Sequence, residues 1–373
     1  MMATLAVALA LLVAPAAFGA EDGSIGRAGD AAWLPTHPVE PQSSQALDLF
    51  EDGVGYAATA AGTDLILDRT TDSGLTWSPA APLPVSSGFT SFGTSSRGYI
   101  AEFGGEGIWV TRDGAETWDE GHSFADAKLD GAFGETRVSG VDALGSTLVA
   151  VGGYRAPVLE ECRVPSPART FLGWSRDGGS SWRLFSLPFY GTPHWIDILD
   201  ARHGVAIVYD RYEADDTDDC LFVSNTNAVY TTKDAGRSWQ RVMSCDDGLI
   251  CSSASMADPK TILVGTNEAR MFRSEDRGQT FTEIAKLANP VYTPLESLRA
   301  FWIAGIGFAS PEVGYASTKG GGTYRTDDGG RTWAMEHSTE LVWGLGAGDL
   351  AVADEEHAIA GGPNFLITRV EGP

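Results

Sequence analysis

Three arginines recur at comparable places in three successive segments of this 373-residue chain: Arg155, Arg211 and Arg270. Each guanidinium is a planar fork of donors, and three converging forks could clamp a carboxylate or a phosphate. Tyr154, Asp210 and Tyr212 flank the first two, and Asn267 and Glu268 precede the third. A second set is aromatic. His194-Trp195, Trp302 and Trp343 each stand at the start of a strand-like segment, where an indole face could stack on a sugar or a peptide. A third set is acidic. Asp215, Asp216, Asp218 and Asp219 offer the oxygen ligands that calcium takes, but not in the spacing of an EF-hand loop. All three sets have a plainer use, as salt bridges, core aromatics and a solvated loop. No metal or cofactor is therefore assigned.

What positions these groups is a repeat. The octet Ser/Thr-x-Asp-x-Gly-x-Ser/Thr-Trp occurs six times: Thr70–Trp77, Thr111–Trp118, Ser175–Trp182, Thr232–Trp239, Ser274–Phe281 and Thr326–Trp333. Its aspartates are Asp72, Asp113, Asp177, Asp234, Asp276 and Asp328. The Asp can accept hydrogen bonds from backbone groups about two residues on, and the Gly supplies a positive φ. The octet therefore reads as a self-clamped hairpin turn, with its aromatic opening the next strand. Ala115 replaces the Gly in the second copy, so that turn must adjust or carry strain; Phe281 replaces the Trp in the fifth. These aspartates are structural in this reading, neither metal ligands nor catalytic acids.

The octet resembles the Asp-box, or BNR repeat. Sialidases, sortilin-type receptors, xyloglucan-degrading hydrolases and photosystem II assembly-factor-like proteins carry it. That resemblance spans nearly the whole chain past its leader. It implies a β-propeller with each box in the outer hairpin of a blade, between its third and fourth strands.

Successive box aspartates lie about 51 residues apart on average, which suits one four-stranded blade each. Gly204–Tyr209 and Thr261–Gly265 read as strands between boxes. Beyond the sixth box, Asp349–Val352, His357–Gly361 and Phe365–Val370 look like three strands of a further blade. Ala32-Trp33-Leu34-Pro35 resembles the segment after a box, such as Ser181-Trp182-Arg183-Leu184. The expected architecture is an all-β, seven-bladed β-propeller whose last blade is closed by the N-terminal strand. Six blades with an irregular tail are the alternative.

Residues 1–19 read as a signal peptide, although no Lys or Arg precedes the apolar run. Residues 20–31 follow as a flexible segment, and residues 32–373 as a single propeller domain. An exported protein, periplasmic or extracellular, is expected, with no membrane span after cleavage. The net charge of −24 argues against nucleic acid as a partner. An even number of cysteines in an exported chain suggests two disulfides. Blade register places Cys162 and Cys220 in the long segments 154–170 and 210–227, and Cys245 and Cys251 at the connection between the fourth and fifth blades. Cys162–Cys220 and Cys245–Cys251 are the expected pairs. All four fall on the face opposite the boxes, with the candidate ligand-binding residues.

Catalytic signatures such as HExxH, GxSxG and a P-loop are absent. Resemblance to sialidases implies an arginine triad, a Tyr nucleophile with its Glu, and an acid Asp. The first arginine of that triad stands in an Arg-Ile-Pro motif ahead of the boxes. Here only Arg27 and Arg69 precede Thr70, and neither lies in that motif. The xyloglucan hydrolases use two rings, and this chain supplies one. The photosystem-type ring matches best in length, leader and box number, and it implies a non-enzymatic scaffold using an arginine-rich patch, which this acidic chain does not show. The expected function is a binding module for a protein or glycan, with a sialidase-like glycoside hydrolase as the alternative.

Overall fold

The computed structural model describes residues 32–38, 45–61, 64–102, 104–125, 136–154, 169–190, 193–209, 212–214, 221–223, 227–245, 248–287, 302–319, 321–338, 350–361 and 365–370. Among these residues every regular element is a strand. Twenty-eight of the strands form seven four-stranded antiparallel sheets, the blades of a propeller. Blade 1 starts at Gln45, blade 2 at Gly88, blade 3 at Thr136, blade 4 at Pro193, blade 5 at Cys251, blade 6 at Ile303 and blade 7 at Leu350. The first strands of neighbouring blades touch one another in a closed cycle, so they surround the axis.

Blade 7 is composite. Its strands Leu350–Val352, Ala358–Gly361 and Phe365–Val370 are completed by Ala32–Pro38 on the outer edge. The register runs from Ala32 opposite Val370 to Pro38 opposite Phe365. The expected closure by the N-terminal strand is therefore what the chain does. Closing the ring leaves no blade without a neighbour on both faces.

Burial explains why the second strands are apolar almost throughout. Leu148–Val151, Val205–Val208 and Ile262–Val264 are fully buried because both faces of each sheet press against another blade. The core is correspondingly divided into seven clusters, one per blade interface. Tyr56 stacked on Phe92 anchors the interface between blades 1 and 2, at 3.6 Å between ring centroids.

The box turns lie between the third and fourth strands of blades 1 to 6. In every copy the leading hydroxyl donates to one Asp oxygen at 2.8–3.0 Å. The seventh residue donates to the same Asp twice, through its backbone N–H and through its hydroxyl. The clamp thus reaches four residues on rather than two, because the fourth and fifth residues both take positive φ and curl the chain back. The N–H of the fourth residue donates to a carbonyl in the blade's own first hairpin in all six blades, as Gly178 does to Ser146. Ala115 keeps the same shape at φ +67° and is buried against blade 1. The strand begins one residue past the aromatic, which instead wedges against the outer strand of the preceding blade. Trp182 lies against His122 and Phe124, and Phe281 packs with Val242 and Met243.

Blade 7 has no box, but its parts occupy the corresponding places. Arg369 is next to last in its third strand and pairs with Trp33, second in its fourth. Both bind Glu336 on the outer strand of blade 6: Trp33 Nε1 donates at 2.8 Å and Arg369 Nε at 3.0 Å. Arg369 also donates to the Glu356 carboxylate and carbonyl at 2.8 Å. Trp33 packs edge-on to Tyr315, whose hydroxyl accepts from Arg325 and donates to the Glu355 carbonyl. An ion-pair network replaces the covalent turn.

Candidate functional site

Antiparallel order sorts the loops onto two faces. The boxes share one face with the hairpins joining first to second strands. The loops joining second to third strands, and the connections between blades, open on the other.

On the box face each octet carboxylate is engaged by the hydroxyls and N–H groups of its own turn, while the Trp118 and Trp239 indole N–H groups are buried without a hydrogen-bond partner. Asp113, Asp177 and Asp276 are held at about 2, first by the hydroxyls of Thr117, Ser181 and Thr280 and then by the N–H groups of the same residues. A carboxylate with its donors fixed in this way stays ionised at neutral pH. A second clamp, not foreseen from sequence, stands in the neighbouring hairpins. Asp200 accepts from the N–H groups of Arg202 and His203 and pairs with His203 Nδ1. Asp354 does the same for Glu356 and His357, and Asp258 for Lys260, Thr261 and the Thr261 hydroxyl. The signal was present as Asp-x-x-His/Thr at 200, 258 and 354.

Those residues singled out for binding that the structure describes stand toward the opposite face. The expected Cys245–Cys251 disulfide is formed, with Cα atoms 5.8 Å apart and both residues buried. Two asparagines brace the same connection. Asn227 donates to the Cys251 carbonyl at 2.7 Å and accepts from its N–H at 3.1 Å. Asn267 accepts from the Ile250 N–H and donates to the Gly248 carbonyl. This link between blades 4 and 5 is rigid on three counts. Replacing both cysteines by alanine is expected to cost about 2–3 kcal/mol, mostly from freeing the unfolded chain. Chemical denaturation of the double variant checks this, and the native far-UV spectrum is expected to persist.

The remaining candidates divide. Trp195 donates from Nε1 to the Ala254 carbonyl at 2.7 Å and packs with the blade 4–5 core, so it is a wedge between blades. Arg270 is engaged by Glu283 at 2.6 Å and lies over the Phe272 ring; Glu268, two residues before it, is farther at 3.8 Å. Glu283 lies across the strand pair, where the outer strand returns beside Arg270. Trp302 carries the Lys319 ammonium over its ring at 4.8 Å. Tyr154, His194 and Tyr212 fall on strands, at the end of Thr147–Tyr154, in Pro193–Ile198 and in a small hairpin pairing Tyr212–Ala214 with Leu221–Val223. That hairpin is inserted between the second and third strands of blade 4. Arg155, Asp210, Arg211, Trp343, Cys162, Cys220 and the acidic run 215–219 lie outside the described residues. Among the described residues no group of three or more His, Cys, Asp or Glu could hold a metal, and no helix is long and apolar enough to cross a membrane.

No family model matches this chain, and no curated protein matches it. Solved structures do. YCF48 bound to D1 peptide is 14% identical with a TM-score of 0.59, over 91% of this chain and 97% of that one. YCF48 from Cyanidioschyzon merolae is 15% identical with a TM-score of 0.59, over 91% and 99%. The structure of U3-55K is 12% identical with the same score, over 91% and 98%. The class these likenesses define is the single-ring β-propeller. At such identities they extend to the fold alone.

Proposed function

We propose that this chain is an exported, non-enzymatic propeller that binds a protein ligand at the face opposite its boxes. The observation that carries the reading is the asymmetry of the two faces. On the box face the six octet carboxylates are spent on their own turns. The other face bears the inserted hairpin of blade 4 and the disulfide-braced link beside it. Long loops on a rigid frame are where binding groups gather. Peptide capture by a ring of the same fold, YCF48 bound to D1 peptide, is consistent with it. Assignment of the octets to the Asp-box repeat, cleavage of residues 1–19 and export belong to the same proposal. A glycan in place of the protein is the finer variant.

A photo-crosslinking residue at exposed Glu268 tests this, with a second at exposed Arg176 on the box face. In the native envelope, adducts are expected from position 268 and none from position 176. Adducts from 176 alone, adducts from neither, or turnover of a fluorogenic sialoside by the purified chain would each refute the reading.

A further inference from the structure

The first strands carry a polar ladder around the axis. Asp48 accepts from the Phe92 N–H of blade 2 at 3.1 Å, and Ser91 accepts from the Ala143 N–H of blade 3 at 3.1 Å. Asp142 accepts from the Ile198 N–H of blade 4 and from the Ser91 hydroxyl. Asp197 accepts from the Met256 N–H of blade 5 and from the Ser255 hydroxyl. All five side chains stand at one level. Asp48, Ser91, Asp142, Asp197 and Ser255 pair in register with Tyr56, Tyr99, Val149, Val205 and Leu263 of their second strands. Each rung links a blade to the next, from blade 1 to blade 5. The ladder stops there, because Gly307 and Ala351 hold the same level in blades 6 and 7.

The geometry points to a proton-controlled fastening between blades 3, 4 and 5, in which Asp142 and Asp197 hold the neighbouring first strands most firmly when protonated. A carboxyl oxygen accepts an N–H in either state. Two half-buried carboxylates on adjacent first strands also repel each other when both are charged. Burial, then the charge of Asp197, pushes Asp142 up to about 7. Burial pushes Asp197 up to about 6. Few other titratable groups stand on the strands packed around them. Arg97, Tyr99 and Glu102 lie on the second strand of blade 2, Arg137 and His194 on the pair's own strands, and Tyr154 and Tyr209 on the second strands of blades 3 and 4. Blade 5 contributes only the disulfide-bonded Cys251 on its first strand.

The sign follows from linkage. Both folded-state values exceed the unfolded carboxyl value, so the folded ring holds more protons between about pH 4 and pH 7. Stability from this pair is full below about pH 4 and is lost progressively as pH rises from there through 6 and 7. The box carboxylates work the opposite way, because their folded values are depressed. Their contribution is present above the unfolded value and is lost as pH falls through about 2.

Urea unfolding of the full chain between pH 5 and pH 8 is the test. The folding constant is expected to fall on the order of a thousandfold across that range, most of it from Asp142. Asp142→Asn and Asp197→Asn are each expected to flatten the slope, while Asp177→Asn on the box face leaves it unchanged. Hydrogen exchange on the wild-type chain covers the case in which a variant fails to fold. Corrected for intrinsic rates, exchange at the Ile198 and Met256 amides is expected to quicken through the same window. A wild-type profile that is flat or rises with pH, a slope unaltered in both folded variants, or steady exchange at those amides overturns the proposal.

Discussion

Arg369→Ala is expected to destabilise the propeller by about 3–5 kcal/mol, the range for removing one partner of a buried ion pair. The guanidinium is 5% exposed and its partner Glu336 is 17% exposed, so both charges have given up most of their water. Removing Arg369 leaves Glu336 with the Trp33 indole as its closest remaining donor. The loss falls where the first and last described strands meet, which makes the closing strand the first to part. Thermal unfolding checks the magnitude. Limited proteolysis near Ala32–Pro38 checks the location, with cleavage faster than anywhere on blades 2 to 5. Glu336→Ala is expected to be comparably harmful. The double variant is expected to cost less than the two single changes added together, because the second change removes a charge that the first had stranded. Full additivity would mean that the two residues act separately.

The second large effect concerns a pair of turns that differ at one atom. Gly236→Ala is expected to cost about 2 kcal/mol, from a left-handed backbone and from crowding. Its φ is +76°, and a Cβ there would lie 2.4 Å from Leu172 Cδ2 on blade 3. Ala115→Gly, at the equivalent position of the second box, is expected to change stability by less than about 0.5 kcal/mol. Relief of the left-handed alanine, on the order of 1 kcal/mol, offsets the lost burial of one methyl group, about 0.8 kcal/mol. Equilibrium denaturation of both variants distinguishes this from a view in which each box simply requires glycine. That view demands a clear gain from Ala115→Gly.

These contrasts show what a sequence can carry. The octets disclosed the ring because their residues bond within eight positions of one another. Trp33 disclosed the closure because it imitates the residue that ends an octet. Glu336 gave no such sign. It sits in an ordinary outer strand, and its partners lie 33 and 303 residues away. Asp142 and Asp197 were equally silent, since each meets its donors only after a neighbouring blade has folded against it. Arg270 was legible as a cation near Glu268, but its main partner depends on the pairing of two strands. Of the candidate binding residues, Trp195 proved to be interior because its carbonyl partner belongs to the next blade. The second clamp, at Asp200, Asp258 and Asp354, was readable in principle. It is shorter than the octet and recurs in fewer blades, so it stands out less.

The pairing of Ala32 with Val370 also sets a timetable. During synthesis, blades 1 to 6 can each form as soon as their own four strands exist. Blade 7 must wait for Phe365–Val370, and until then blades 1 and 6 each lack a neighbour. Tyr315 on blade 6 and Leu47 on blade 1 then face water rather than their partners in the finished ring. Joining strands so far apart in sequence is slow, because the entropy of closing the loop is lost before the contacts form. An incomplete chain would therefore present two sticky surfaces at once, and two such chains could close on each other instead of on themselves.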